Sequence, residues 1–282
     1  MKFGYFTAAT PDWTPQEVVT NLAAQGWDGV EWRLVDDPGA DEVGFWAGNR
    51  ATWPLTGLED NIAAMRDLPA QAGLEITGVG AYAACDDHDN VERVLAATAA
   101  MGASQVRVRV PGVGRDEHYS TVFDSCREHY RWVAERAAAH GVKALLELHH
   151  NTICASASSA MRLFDGLDPA HVGVIHDMGN LLYEGWERPL WGAQMLGPYL
   201  AHVHVKNTVF ESTGVGDDGT VGYRGKAAAL RRGQADLRTY LAELVQAGYD
   251  GWVVCEDFST DLPLAQRTAD NLAYLKECAP HA

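Results

Sequence analysis

Basic residues are scarce in this chain: 22 Lys and Arg face 38 Asp and Glu, a formal net charge of −16 over 282 residues. A surface that grips duplex phosphates needs clustered cations to displace counterions, and an anionic membrane face needs them as well. Neither nucleic acid nor a membrane is therefore an expected partner. Long apolar runs are missing too. No stretch reaches the ~18 consecutive apolar residues of a membrane span. The opening segment MKFGYFTAAT has no apolar run ahead of a small-residue cleavage site, so no secretory signal is expected. Cysteine is sparse: Cys85, Cys126, Cys154, Cys255 and Cys278 are odd in number, scattered and free of any CxxC spacing. A disulfide framework and a structural zinc site both lack support, and reduced thiols in a cytoplasmic protein are the expectation. No GxGxxG follows the first β-like run, which leaves little support for a dinucleotide.

What is present is an alternation. Short β-like runs at residues 2–6, 29–33, 76–81, 105–110, 143–148, 172–176, 201–205 and 252–255 are separated by amphipathic stretches. Glycines at 26, 73, 102, 141 and 248 stand where helices should end. Such alternation implies parallel strands with crossover helices. Eight units in 282 residues favour a (β/α)8 TIM barrel forming one domain, 1–282. Two connections, about 35–58 and 207–232, are long and fall on the face where barrel active sites are built. Both read as loops. The first contains Trp46 and Trp53, which together with Trp186 are candidates for stacking on a sugar or for lid packing.

Strand parity carries the chemistry. Alternate side chains of a barrel strand point inward. Outward Val106, Val108 and Val110 leave Arg107 and Arg109 inward; outward Leu146 and Leu148 leave Glu147 and His149 inward. By the same count His202, His204 and Lys206, and also Glu31 and Arg33, point to the axis. Unpaired buried charge is costly, so these groups need compensation. Glu147, Asp177, His204 and Glu256 end four consecutive strands at similar height. Three carboxylates and one imidazole suit one fairly hard divalent ion: Mn²⁺ first, with Mg²⁺ or Co²⁺ as alternatives. Glu31, Arg107, Arg109 and Lys206 are candidate substrate contacts, each with a buried salt-bridge network as the competing reading.

The segments Gly29-Val30-Glu31-Trp32-Arg33, Leu146-Glu147-Leu148-His149, His176-Asp177-Met178-Gly179-Asn180, His202-Val203-His204-Val205-Lys206 and Glu256-Asp257-Phe258 resemble the xylose-isomerase-like superfamily of sugar isomerases and epimerases. The resemblance covers nearly the whole chain. It implies that Glu147, Asp177, His204 and Glu256 are metal ligands, and that Glu147 and Glu256 also act as the acid/base pair. It implies a sugar isomerase or epimerase working by proton abstraction beside a carbonyl. The partner is then a small sugar or keto-glycoside, with a homo-oligomer or a small partner subunit left open. This chain departs from the ketose 3-epimerase branch at two positions. Asn180 stands where that branch has a substrate-binding His, and Phe210 where it has an Arg. In their place the chain offers His149 and His150 after the first ligand. The alternative implied is a metal-dependent lyase cleaving 3-keto-glycosides, C-glycosides included, or a related dehydratase, with one of these histidines as the base of the lyase. A metal-dependent endonuclease on the same fold is disfavoured by the acidic composition, and a non-catalytic scaffold by the intact ligand set.

Overall fold

The computed structural model describes residues 1–184 and 187–280. Trp186 lies outside the described residues. In chain order the first half runs β1 (Lys2–Phe6), α1 (Pro15–Gln25), β2 (Gly29–Leu34), α2 (Leu58–Ala72), β3 (Glu75–Ala81), α3 (His88–Ala100), β4 (Gln105–Arg107) and α4 (Tyr119–His140). Then follow β5 (Lys143–Glu147), α5 (Ala157–Leu163), β6 (Val172–Asp177), α6 (Met178–Leu181), α7 (Pro189–Leu196), β7 (Leu200–Val205), β8 (Asn207–Val215), β9 (Val221–Ala228), α8 (Leu237–Gln246), β10 (Trp252–Cys255) and α9 (Leu264–Cys278). Eight strands close a parallel barrel in the order β1-β10-β7-β6-β5-β4-β3-β2, and β8 and β9 form a separate two-stranded sheet. The fold is a (β/α)8 TIM barrel. Among the described residues no helix is long and apolar enough to cross a membrane.

Local chemistry explains the elements. Thr14 and Glu17 make a reciprocal capping box that starts α1, with Pro15 as its first residue, and Gly26 ends it at φ 85°. Outward side chains Val30, Trp32, Val106, Val108, Leu146, Leu148, Val203 and Val205 are fully buried between the strands and the helices. Each large one of these contributes roughly 1.5–3 kcal/mol on leaving water. Buried polar atoms on the seam find partners: Trp32 Nε1 donates to Met65 O at 2.9 Å, and the Tyr130 hydroxyl to Val108 O at 2.6 Å. On the inner side Phe6 lies against Gly80, where a Cβ would overlap the ring. The inward parity holds for Glu31, Arg107, Glu147, His202 and His204, all buried. Arg109 keeps the inward side and lines the barrel mouth, but β4 ends at Arg107, so Arg109 lies beyond the strand and is exposed.

The 207–232 connection is a hairpin, a correction to the expected loop. β8 and β9 pair antiparallel from Asn207↔Ala228 to Val215↔Val221. Its Gly- and Asp-rich segment is only the turn, closed by Gly216 N to Thr220 O at 2.8 Å. The flanking Val, Phe, Thr and Tyr residues supply the β propensity. Asn207 anchors the base: its Nδ2 donates to Leu230 O and Ala235 O, and its Oδ1 accepts from Thr208 N and Ala235 N. The 35–58 connection contains no helix before α2 begins at Leu58, yet it is pinned. Asp37 accepts from the backbone N–H groups of Gly39, Gly48 and Asn49, and Leu34 bridges to Trp53.

His176 on β6 gives the fold a pH signature. Its Nδ1 meets the Tyr240 hydroxyl of α8 at 2.7 Å, and complete burial lowers its pKa to about 4. Near neutral pH the ring is uncharged folded or unfolded and adds no slope. As pH falls from the reference value of about 6.5 toward 4, the unfolded chain takes up a proton that the folded chain refuses. Stability should drop by about 3 kcal/mol across that window from this group alone. Urea unfolding of wild type and His176→Gln in chelator at several pH values should show a shallower acid slope in the variant; parallel slopes would contradict the assignment.

Candidate metal centre

Four buried groups converge at the C-terminal mouth of the barrel. Glu147 ends β5, Asp177 ends β6, His204 is on β7 and Glu256 follows β10, and one ligand atom from each lies within 4.8 Å of the others. Each is held. The Glu147 carboxylate accepts from Arg107 Nη1 at 2.5 Å and from Asn180 Nδ2 at 3.3 Å. Asp177 spends Oδ1 on the backbone N–H of Asn180 at 2.9 Å, which caps α6 and turns Oδ2 to the centre. His204 donates from Nε2 to Glu31 at 2.8 Å, and its ring lies near-parallel to Phe6.

Whether an ion fits can be read from the orphaned atoms. His204 Nδ1 is buried with no hydrogen-bond partner. It lies 3.6 Å from Glu147 Oε1 and 4.0 Å from Asp177 Oδ2. Those gaps are too long for hydrogen bonds, but they suit ligands that each stand about 2.0–2.2 Å from one ion. The donor set fits a divalent cation. A second cluster, Glu31 with His202 and His204, does not. Its members already bond one another at 2.8–2.9 Å. His202 Nδ1 accepts from the Gln105 amide at 2.8 Å, so its Nε2 donates to Glu31 and the ring is satisfied.

Electrostatics point the same way. Burial pushes the Asp177 carboxyl up, and Glu147 and Glu256 add to this against the opposing charge of Lys206. Burial works against the charge of Glu147 as well, but Arg107 foremost, then His204 and Lys206, hold it well below the usual carboxylate range. The Lys206 ammonium reaches Asp177 Oδ2 at 2.7 Å and Glu256 Oε2 at 2.6 Å. It therefore shares two of the oxygens an ion would use. Its stem crosses Gly179, where a Cβ would overlap it.

The pocket above this floor is lined by Trp46, Tyr82, Arg107, Arg109, Val110, Glu147, His149, Thr152, Lys206 and Glu256. Among residues expected at the substrate, Arg107, Arg109, Lys206 and His149 are there. Glu31 is below the floor, 1% exposed and bonded to His202 and His204. Asn180 is also buried, bridging Glu147 to His150 through its Oδ1, 2.9 Å from His150 Nδ1. His150 stacks between His149 and Tyr183, and Tyr183 meets Phe210 of the hairpin. Trp46 reaches the pocket by leaning on Phe258, centroids 4.8 Å apart; Trp53 packs edge-on against Trp32. Tyr82 and Thr152 were missed in the sequence. Tyr82 directly follows β3, so its place at a strand's C-terminal end was the available signal.

A family model described as a xylose isomerase-like TIM barrel matches residues 19–278. Solved structures share the fold at low identity. An apo 3-keto-D-glucoside 4-epimerase from E. coli superposes with a TM-score of 0.74 and 19% identity, covering 99% of this chain and 100% of that one. A xylose isomerase-like TIM-barrel protein from Mycobacterium smegmatis, in complex with magnesium, gives 0.68 and 18%, over 98% and 96%. An inosose dehydratase from Geobacillus kaustophilus is 26% identical over 121 residues, a match spanning 41% of this chain and 39% of that protein's length.

Two substitutions should move ion affinity in opposite directions. Glu31→Gln weakens the support behind His204 without touching the pocket and should raise the Kd for Mn²⁺ about 10–100-fold. Lys206→Gln removes a competing cation and should tighten binding while destabilising the ion-free protein. Calorimetric titration checks both; a change of the same sign in the two variants would contradict the arrangement.

Proposed function

The chain belongs to the xylose isomerase-like TIM-barrel family, and within it we propose a divalent-metal-dependent isomerase or epimerase that takes a proton from the carbon beside the carbonyl of a sugar or keto-sugar. The observation that carries this reading is that Glu147 and Glu256 belong to the one four-residue cluster among the described residues that could hold an ion and also line the pocket. A bound ion, Mn²⁺ by preference with Mg²⁺ or Co²⁺ able to substitute, supplies Lewis-acid polarisation of a carbonyl and its neighbouring hydroxyl. A neighbouring structure holding magnesium supports the metal's place in the reading.

The protein's own groups do the rest. β5 and β10 are separated in the barrel by β6 and β7, so Glu147 and Glu256 approach the pocket from different sides. One removes the proton and the other returns it on the opposite face. Arg107 and Asn180 fix the first carboxylate, which holds it in a reactive geometry. Trp46 and Tyr82 offer apolar faces to the C–H side of a sugar ring. The hairpin backs His150 through Phe210 and Tyr183 and acts as a contact surface at the mouth. One domain over residues 1–282 completes the proposal, with a small molecule as partner.

One observation favours a second reading, a lyase or dehydratase acting on 3-keto-glycosides. His149 Nδ1 lies 2.7 Å from His150 O. A carbonyl only accepts, so Nδ1 carries the proton and a neutral ring keeps a free lone pair on Nε2. That ring lines the pocket, whereas His150 is engaged with Asn180 and its pKa is lowered by burial and by His149. His149 is the better base of the two.

Incubation of Mn²⁺-loaded protein in D₂O with ketoses and 3-keto-glycosides separates the readings. The first expects deuterium in recovered ketose, and a His149→Asn variant that mainly raises KM. Aglycone release, with a kcat loss of ~10²-fold or more in His149→Asn and little change in KM, would overturn it in favour of the second.

A further inference from the structure

Three guanidinium groups gather around one ring. Arg33, Arg107 and Arg109 place their Cζ atoms 5.3, 4.5 and 5.4 Å from the centroid of Tyr82. Like charges this close repel, and two of the three are compensated: Arg33 by Asp37 and Arg107 by Glu147. Arg109 forms no ion pair and no side-chain hydrogen bond among the described residues. It is also the exposed member of the three, and it lines the pocket beside the ion-binding floor. In a chain with 38 carboxylates to 22 basic residues, an arginine at the mouth of the reactive cavity has been left without an acid.

The charge balance of the cavity sharpens this. Glu147, Asp177 and Glu256 face Arg107, Arg109 and Lys206, three against three. A divalent ion shifts the balance to two positive charges in excess, or one if Glu31 beneath the floor is counted. An ion held there would also compete with Lys206 for the oxygens it contacts. The loaded pocket therefore has a positive excess that a neutral ligand leaves unmet. An anionic ligand meets it, and Arg109 has the planar fork that takes a carboxylate bidentately.

We propose that Arg109 docks a carboxylate of the substrate, so that the substrate is a polyhydroxy keto acid, a sugar acid rather than a neutral sugar. This rests on the reading of the site as a metal-dependent keto-sugar enzyme and narrows its substrate class. The ion-binding floor takes the carbonyl end, Tyr82 and Trp46 flank the carbon chain, and Arg109 takes the acid end. Arg109 is thus a specificity residue, separate from the proton-transferring carboxylates.

D-Gluconate and D-glucitol make a matched pair of probes, since a carboxylate in one replaces a hydroxymethyl group in the other. Calorimetry with Mn²⁺-loaded wild type should show gluconate binding at least about tenfold tighter. Arg109→Gln should remove most of that preference and leave glucitol and Mn²⁺ affinities unchanged, and Arg109→Lys should restore part of it. Equal affinities in wild type, or no binding of gluconate, would overturn the proposal. So would a preference that survives in Arg109→Gln, because the ion would then be holding the carboxylate. Deuterium exchange is read separately. An Arg109-dependent preference without exchange supports this proposal and sinks proton abstraction; ketose exchange without any gluconate preference does the reverse.

Discussion

Three buried carboxylates crowd the mouth of the barrel beside a bare imidazole nitrogen, and desolvated like charges need cations among them. That constraint organises the rest of the site. Glu147, Asp177 and Glu256 are each nearly or fully buried, and desolvated like charges repel strongly where water cannot screen them. The protein answers with Arg107 on Glu147 and Lys206 between Asp177 and Glu256. The answer is incomplete by design of the donors. His204 Nδ1 still has no partner, because Glu31 fixes the ring by its other nitrogen. A divalent ion among them would satisfy all four at once. The same need for compensation reaches outward to the rim, where Arg109 stands without an acid.

Support for this floor comes from below and from the sides, in layers with different work to do. Beneath, Glu31 ties His202 and His204 together, and Gln105 closes the chain at 2.8 Å. This buried network leaves only His204 Nδ1 without a partner among the imidazole nitrogens and holds both rings in one orientation. Beside the floor, Asp177 caps α6 by accepting from the Asn180 backbone N–H, and the Asn180 side chain links Glu147 to His150, so one residue ties three functional groups together. Above, the pinned 35–58 segment delivers Trp46, and the hairpin holds Tyr183 against His150. Rigid strands thus position the charged groups, while the long connections supply the aromatic walls.

Period-two alternation made much of this legible. Val203 and Val205 outward forced His202 and His204 inward, and Leu146 and Leu148 did the same for Glu147; the barrel has these side chains buried as the alternation required. Alternation says which way a side chain points but not how deep it lies. Glu31 and Asn180 were expected at the substrate and are instead beneath and beside the ligands, because depth depends on strand register across the sheet. Arg109 keeps the inward side but is exposed at the rim, because β4 stops at Arg107. The hairpin was hidden by its turn: glycine and aspartate at 216–219 signalled a loop, and the alternating Val, Phe and Tyr around them went unread. Helix α7 leaves little trace in the sequence, because it is apolar around most of its surface and shows no amphipathic stripe.

The central claim is one ion held by four named groups. Diffraction from crystals soaked in Mn²⁺, recorded at the manganese absorption edge, addresses it without any assumption about substrate. The account predicts a single strong anomalous peak in the barrel mouth, within bonding distance of Glu147, Asp177, Glu256 and His204 Nδ1, with the Lys206 ammonium moved off Asp177 Oδ2. A peak bonded to His204 Nε2 and Glu31, or no peak at the four-residue cluster under saturating Mn²⁺, would contradict it.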